Sequence, residues 1–191
     1  MLTVGCVWVG NKYGPEYPVI LEAMVKRHLS VDYKFEVLID DESWADPCWN
    51  KVRFFDRKLY PGPMLILDLD IVICASIFHL VPNERFRAMR DPRQHATTDL
   101  PKLNSSVLSF CPGPISEQVF AHWNPARDCS IFRGDQEYIE REVFGNWDPA
   151  EGVHSYRAGI KRDTCISVLH GQPKPHQAAE RDPFVSHNWR V

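Results

Sequence analysis

The stretch PMLILDLDIV, Pro63 to Val72, decides how the chain is read. Its left half, Met64 to Leu67, is continuously apolar. Two aspartates follow, Asp68 and Asp70, with one leucine between them, and then apolar sequence resumes. A short apolar run of this kind reads as a buried strand, and residues 64–74 are expected to form the central one, with the carboxylates near its C-terminal end. Burying an unpaired carboxylate is costly. Asp68 and Asp70 therefore need a compensating partner: a divalent cation, a helix N-terminus or a row of backbone N–H groups.

The flanking sequence supplies a frame. Residues 2–9, LTVGCVWV, are rich in β-branched and aromatic side chains and read as a strand. A loop, GNKYGPEYP, leads into VILEAMVKRHL at 19–29, which has helical periodicity and basic residues in its last turn. KFEVLID at 34–40 reads as a second strand. This β-α-β opening predicts a parallel sheet. Beyond the aspartates, strands are expected at 86–91 and 103–110, helices at 115–123 and 134–144, and late strands in HSYRAG and TCISVLHG. Strands and helices alternate, so the class is α/β. Ligands in open α/β sheets sit beyond the C-terminal ends of the strands, where Asp68 and Asp70 are expected.

The 191 residues suffice for one domain with a substantial core. Charged residues make up 25% and the net charge is -3, which argues against a broad nucleic-acid surface. No stretch is long and apolar enough to span a membrane. The N-terminal MLTVGCVWVGNKYG lacks a basic n-region and reads as a strand, not a signal peptide. The six cysteines contain no C-x-x-C pair, so they are expected as reduced, mostly buried thiols, and the protein as cytoplasmic.

In a strand, residues i and i+2 share a face, so D-x-D offers two carboxylates side by side, an arrangement suited to a hard divalent cation. Two enzyme classes place D-x-D after an apolar strand. In haloacid dehalogenase-like phosphatases the first aspartate is a nucleophile and the second an acid, and the motif usually opens the chain. In nucleotide-sugar glycosyltransferases of the GT-A fold the pair holds a metal on the donor diphosphate. Here a complete β-α-β unit precedes the motif, as a nucleoside-binding half requires. The later acidic stretch FRGDQEYIE also has the wrong spacing for the phosphatase.

The chain resembles the GT-A glycosyltransferases, in particular the glycogenin-like retaining enzymes and small bacterial or phage enzymes of that kind. The segments that carry the resemblance are CVWVGNKYG, WNKVRFF, LILDLDIVI, NSSVLSF, GDQEYI and VLHGQPKP, in that order from residue 6 to 175. The resemblance implies a GT-A fold with a single Rossmann-like, mostly parallel sheet flanked by helices. It implies one domain over 1–191, with a nucleotide-binding half at 1–74 and a sugar and acceptor half at 75–191.

The resemblance also implies roles. Asp68, Asp70 and His170 would hold manganese or magnesium, and imidazole suits manganese better. Val7, Val9 and Asn11 would line the nucleotide pocket, with Tyr13 stacked on the base. Lys51 would face the donor phosphates or sugar, and Asn104 and Ser105 would contact the sugar. Asp135 would bind sugar hydroxyls, with Gln136 on the reacting face of the anomeric carbon. Gly171 would allow close backbone approach, and Lys174 would reach the diphosphate. The family pattern sets the glycine and lysine farther beyond the histidine, so Lys174 rests on a compressed spacing.

Each residue also has a plainer reading. His170 can be a hydrogen-bonded strand-end histidine, Lys51 a solvated lysine and Asp135 a helix N-cap. Asn104 and Ser105 can be a strand start with local side-chain bonds. The expected function is a metal-dependent hexosyltransferase of the retaining type using a UDP-linked sugar. The acceptor, whether glycan, protein or small molecule, is not legible. The alternatives are a haloacid dehalogenase-like phosphatase and a non-catalytic GT-A domain that binds nucleotide.

Overall fold

The computed structural model describes residues 1–39, 47–92 and 103–191. Strand β1 (Leu2–Val7) leads to helix α1 (Glu16–His28), and the chain returns as β2 (Tyr33–Leu38) parallel to β1. The expected end of this strand at residue 40 lies outside the described residues, as does most of the loop after it. A 3₁₀ segment, Pro47–Phe55, precedes β3 (Met64–Leu67). Then come β4 (Ile71–Ile73), β5 (Arg87–Arg90) and β6 (Leu103–Phe110). Helices α2 (Pro114–Ala121), α3 (Pro125–Ile131) and α4 (Asp135–Val143) follow. Short strands β7 (Asp148–Pro149), β8 (Val153–Ser155) and β9 (Ile166–Val168) precede helices α5 (Pro175–Ala179) and α6 (Pro183–Asn188).

The main sheet has six strands in the order β2-β1-β3-β6-β5-β7. The β1–β2, β1–β3 and β5–β7 pairs are parallel, and the two pairs of β6 are antiparallel. The sheet is mostly parallel, as expected, but it is not alone. A second sheet, β4-β9-β8, stands beside it.

That second sheet corrects the reading of the opening stretch. Residues 64–74 are two strands in two different sheets, and Asp68, Leu69 and Asp70 form the bend between them. Both strands are buried throughout, so an apolar pattern alone could not reveal the break.

Alternation along β3 explains the layering. Leu65 and Leu67 pack into a core with α1, β4, β9 and the C-terminal helices. Met64 and Ile66 face the other way, into a core built with the 3₁₀ segment, α2 and α4. Successive strand residues point to opposite faces, and a sheet covered on both faces has apolar residues at every position. On α1, the buried residues Tyr17, Ile20, Leu21, Met24 and Val25 form one stripe. Glu16 in its first turn and Lys26, Arg27 and His28 in its last complement the helix dipole. Gly5 is required by packing, since a Cβ there would lie 2.6 Å from the Phe54 ring. Strands β3 and β6 and the second sheet thus converge on the bend that carries the aspartates.

Candidate active site

Two backbone bonds fix the bend. The Asp68 N–H donates to the Ser106 carbonyl of β6 (2.9 Å), and the Leu169 N–H donates to the Asp70 carbonyl (2.8 Å). The first ties the motif to the main sheet. The second ties it to the end of β9, directly before His170. Opposite this point β6 bulges. Ala88 of β5 pairs with Leu108, and the next residue, Met89, pairs with Asn104, so residues 105–107 bow out between the two pairings. Bulges of this kind re-aim side chains beside functional sites. Here Ser105 and Ser106 are brought to the aspartates.

The bend, the loop after β1, the start of the 3₁₀ segment, the β6 bulge and the start of α4 enclose a hollow of about 520 Å³, a size ordinary for small-molecule sites. Val7, Val9, Asn11, Tyr13, Lys51, Asp68, Asp70, Ser105, Asp135 and Gln136 all line it. The residues singled out in the sequence are therefore brought together, although they come from five separate segments. Asn104, His170 and Gly171 line a second hollow of about 580 Å³, which shares Gln136 with the first.

Lys51 is the hub of the first hollow. Its residue is only 5% exposed. The ammonium lies 2.7 Å from Asp68 Oδ1 and 3.1 Å from Asp135 Oδ2, and it donates to the Ser105 carbonyl (3.0 Å) and hydroxyl (3.2 Å). Burial alone would pull its pKa down, but the Asp135 and Asp68 carboxylates outweigh burial and hold it above the ordinary lysine value. Burial pushes the Asp68 carboxyl upward, but Lys51 and the Ser106 hydroxyl more than offset that and hold it below the usual range. Asp135 is the first residue of α4, with Gly134 in the cap position, so it is not the N-cap of the plainer reading. Its carboxylate is committed to Lys51.

Asp70 has its own cation. Lys174 Nζ lies 2.6 Å from Asp70 Oδ2, and the Tyr13 hydroxyl donates to the same oxygen at 2.8 Å. Lys174 also reaches the Tyr13 hydroxyl (3.2 Å). Its backbone N–H is anchored on Gln177 Oε1 (2.9 Å) at the start of α5. The compressed spacing after His170 thus still delivers the lysine to Asp70. Burial, and then the Asp70 carboxylate, push the Tyr13 phenol far above its ordinary pKa. Tyr13 is a hydrogen-bond donor here and is not ionised.

Gln136 is held at both ends. It accepts from Asn104 Nδ2 (2.9 Å) and donates to Asp91 Oδ2 (2.8 Å). Asp91 is 1% exposed. Sequence reading missed Asp91, whose only local signal is a carboxylate closing the strand FRAMRD. It also missed Lys12, whose ammonium sits over the Tyr13 ring at 5.0 Å. Pro47, Cys48 and Ser106, which also line the hollow, carry no distinctive pattern.

The donor set suits a hard divalent cation in part. Asp68 and Asp70 present carboxylates to one hollow, and such ions are commonly held by one or two carboxylates together with substrate phosphates. His170 adjoins Leu169, which is bonded to Asp70. Among the described residues, no three His, Cys, Asp or Glu side chains converge as a ready-made ligand group. The aspartates are held instead by Lys51 and Lys174.

No family model and no curated protein matches the sequence. Among solved structures, the chain is similar to an active-site mutant of LgtC, with a TM-score of 0.67 and 12% identity, over 99% of this chain and 97% of that one. It is similar to the galactosyltransferase LgtC in complex with donor and acceptor sugar analogs, with a TM-score of 0.62 and 12% identity, over 99% and 97%. A glycosyltransferase involved in glycosylation of the major capsid of PBCV-1 superposes with a TM-score of 0.63 at 14% identity, over 97% and 98%. Identities this low speak to architecture, and the architecture is the GT-A fold.

Proposed function

We propose that the protein is a metal-dependent glycosyltransferase that moves a hexosyl unit from a UDP-linked sugar to an acceptor with retention of configuration. The observation that carries this reading is the hollow itself. Asp68, Asp70, Asp135, Gln136 and two lysines meet there, at the strand ends of a fold shared with glycosyltransferases. Val7, Val9, Asn11 and Tyr13 form the side suited to the nucleoside, with Tyr13 stacking on the base.

Asp68 and Asp70 would hold manganese or magnesium together with the donor phosphates, and the ion would neutralise the charge on the diphosphate; His170, which lines the adjoining hollow, would join them only by moving toward them. The chain's own residues do the rest. Breaking the bond from the anomeric carbon to the diphosphate leaves negative charge on the departing oxygen. Lys174, at the start of α5, swings from Asp70 to that charge. Lys51 keeps Asp68 ionised and holds both Asp68 and Asp135 in place. The sugar gains oxocarbenium character, and the Asp135 carboxylate and Gln136 amide face it, Asn104 and Asp91 holding the amide plane. Asn104 and Ser105 contact the sugar, and Gly171 lets backbone approach it. The acceptor attacks on the face the leaving group departs from, and the diphosphate takes its proton.

A screen of UDP- and GDP-sugars for nucleotide release with manganese tests this reading. The expected result is UDP release that EDTA abolishes and manganese restores. Stabilisation by UDP with manganese but no release from any donor would return the protein to a nucleotide-binding role. Hydrolysis of phosphomonoesters with magnesium would revive the phosphatase reading, which the shared fold does not favour. Among the described residues, no helix is long and apolar enough to cross a membrane.

A further inference from the structure

The second hollow has a chemical character of its own. Among the described residues its lining is Pro92, Asn104, Gln136, Ser155, Arg157, Ala158, His170 and Gly171. None of these is a carboxylate. The one permanently charged side chain is Arg157, in the short 3₁₀ turn Tyr156–Ala158 that follows β8. The residue is exposed, and two contacts set where its guanidinium lies. Nη2 donates to the Gln172 carbonyl at 3.1 Å. It also lies against the Gly171 backbone, where an added Cβ would sit 3.3 Å from Nη2. Gly171 has a φ of +72°, a left-handed conformation that favours glycine, so the arginine rests on a segment that only a residue without a side chain forms easily. One bond to Gln172 leaves a guanidinium with further N–H donors in a planar fork, the geometry that matches carboxylate and phosphate oxygens. The neighbouring Ser155 and Asn104 add short polar groups. Asp91, the carboxylate bonded to Gln136, is buried and does not line the hollow.

The hollow opens on the same Gln136 that borders the donor side. We infer that it is an acceptor site for an anionic sugar or glycoconjugate, whose carboxylate or phosphate is bound by Arg157. This rests on the transferase reading, which has its own test in nucleotide release. Arg157 is then a specificity-determining residue, selecting acceptors by charge. Arg157 is exposed, and a neutral sugar fills the hollow without engaging the guanidinium, so only an anionic acceptor gains an ion pair there and charge decides between acceptors of similar shape.

The test is a titration of ¹⁵N-labelled protein, saturated with UDP and diamagnetic magnesium, with three probes: methyl glucuronide, glucose 6-phosphate and methyl glucoside. The two anions separate carboxylate from phosphate recognition. The expected result is saturable shifts at Ser155, Arg157, Ala158 and Gly171, with at least one anion binding about threefold or more tightly than the neutral glucoside, the scale of one exposed ion pair. Arg157→Gln should reduce that anion to the affinity of the glucoside, and Arg157→Lys should restore part of the preference. Equal affinity for all three probes, the absence of saturable shifts with either anion, or an anion preference that survives Arg157→Gln would each overturn the inference. Failure of nucleotide release with every donor, alongside Arg157-dependent anion binding, would strike the transferase reading and leave the anion site standing.

Discussion

The Lys174 ammonium lies 2.6 Å from Asp70 Oδ2, inside hydrogen-bond distance of the second carboxylate of the D-x-D pair. Tyr13 completes a three-way clasp on that oxygen. Lysine and a divalent ion at Asp70 therefore compete, whereas lysine and a diphosphate attract. Lys174→Ala is expected to tighten manganese binding severalfold in the absence of nucleotide, because it removes the competitor. The same variant is expected to weaken UDP binding in the presence of manganese by about 1.5–3 kcal/mol, the scale of a hydrogen bond to a charged group. Calorimetric titration of each ligand checks both. Manganese affinity that falls in the variant would mean that the clasp assists the ion.

Lys51 balances Asp68 and Asp135 at once. Lys51→Met keeps most of the side-chain volume but leaves the buried Asp135 carboxylate and the partly exposed Asp68 carboxylate without their shared cation. Removing one partner of a buried ion pair typically costs about 3–5 kcal/mol. Urea unfolding at neutral pH should show a loss of that order. A change below about 1 kcal/mol would place Lys51 on the same footing as a surface pair.

The same pair predicts an acid limb. Asp68 in the folded protein is held below its ordinary value of 3.8. Its stabilising contribution is therefore complete above that value, and it is lost as pH falls through the lower, folded value. Lys51 is held above its ordinary value of 10.5, so its contribution persists through neutral pH and is lost only as pH rises past its folded value. Unfolding free energy of the wild type should fall more steeply below about pH 4 than that of Asp68→Asn, which has no carboxylate to protonate there. Parallel curves for the two proteins would dissociate Asp68 from acid sensitivity.

Asp135→Asn separates chemistry from support. Asparagine keeps an acceptor for Lys51 and loses the charge. A stability loss of about 1–2 kcal/mol is expected, since Asp68 remains as counter-ion. Turnover should fall by at least about a hundredfold, as when one preorganised electrostatic group is removed. Nucleotide release and thermal melting on the same preparation check both. Unchanged release would reduce Asp135 to a structural partner of Lys51.

Local chemistry in the sequence carried the elements and the motif. The continuous burial of Met64, Leu65, Ile66 and Leu67, the stripe on α1 and the whole of β6 follow from residue type and spacing, because side-chain periodicity is a local property. The prolines that open α3, α5 and α6, with Asn124 and Asp182 as caps on α3 and α6, were equally local signals for helices that the pattern reading passed over. What the chain alone could not decide was which distant groups answer the two aspartates. Asp68 and Asp70 look equivalent in D-x-D. Yet one meets Lys51 and the other Lys174, because the chain changes sheets between them and each carboxylate faces a different neighbour at the shared hollow. Charge compensation acts through space over a few ångströms. Residues 17 and 104 positions away in the chain come that close only after the two sheets, the β6 bulge and the start of α5 have packed.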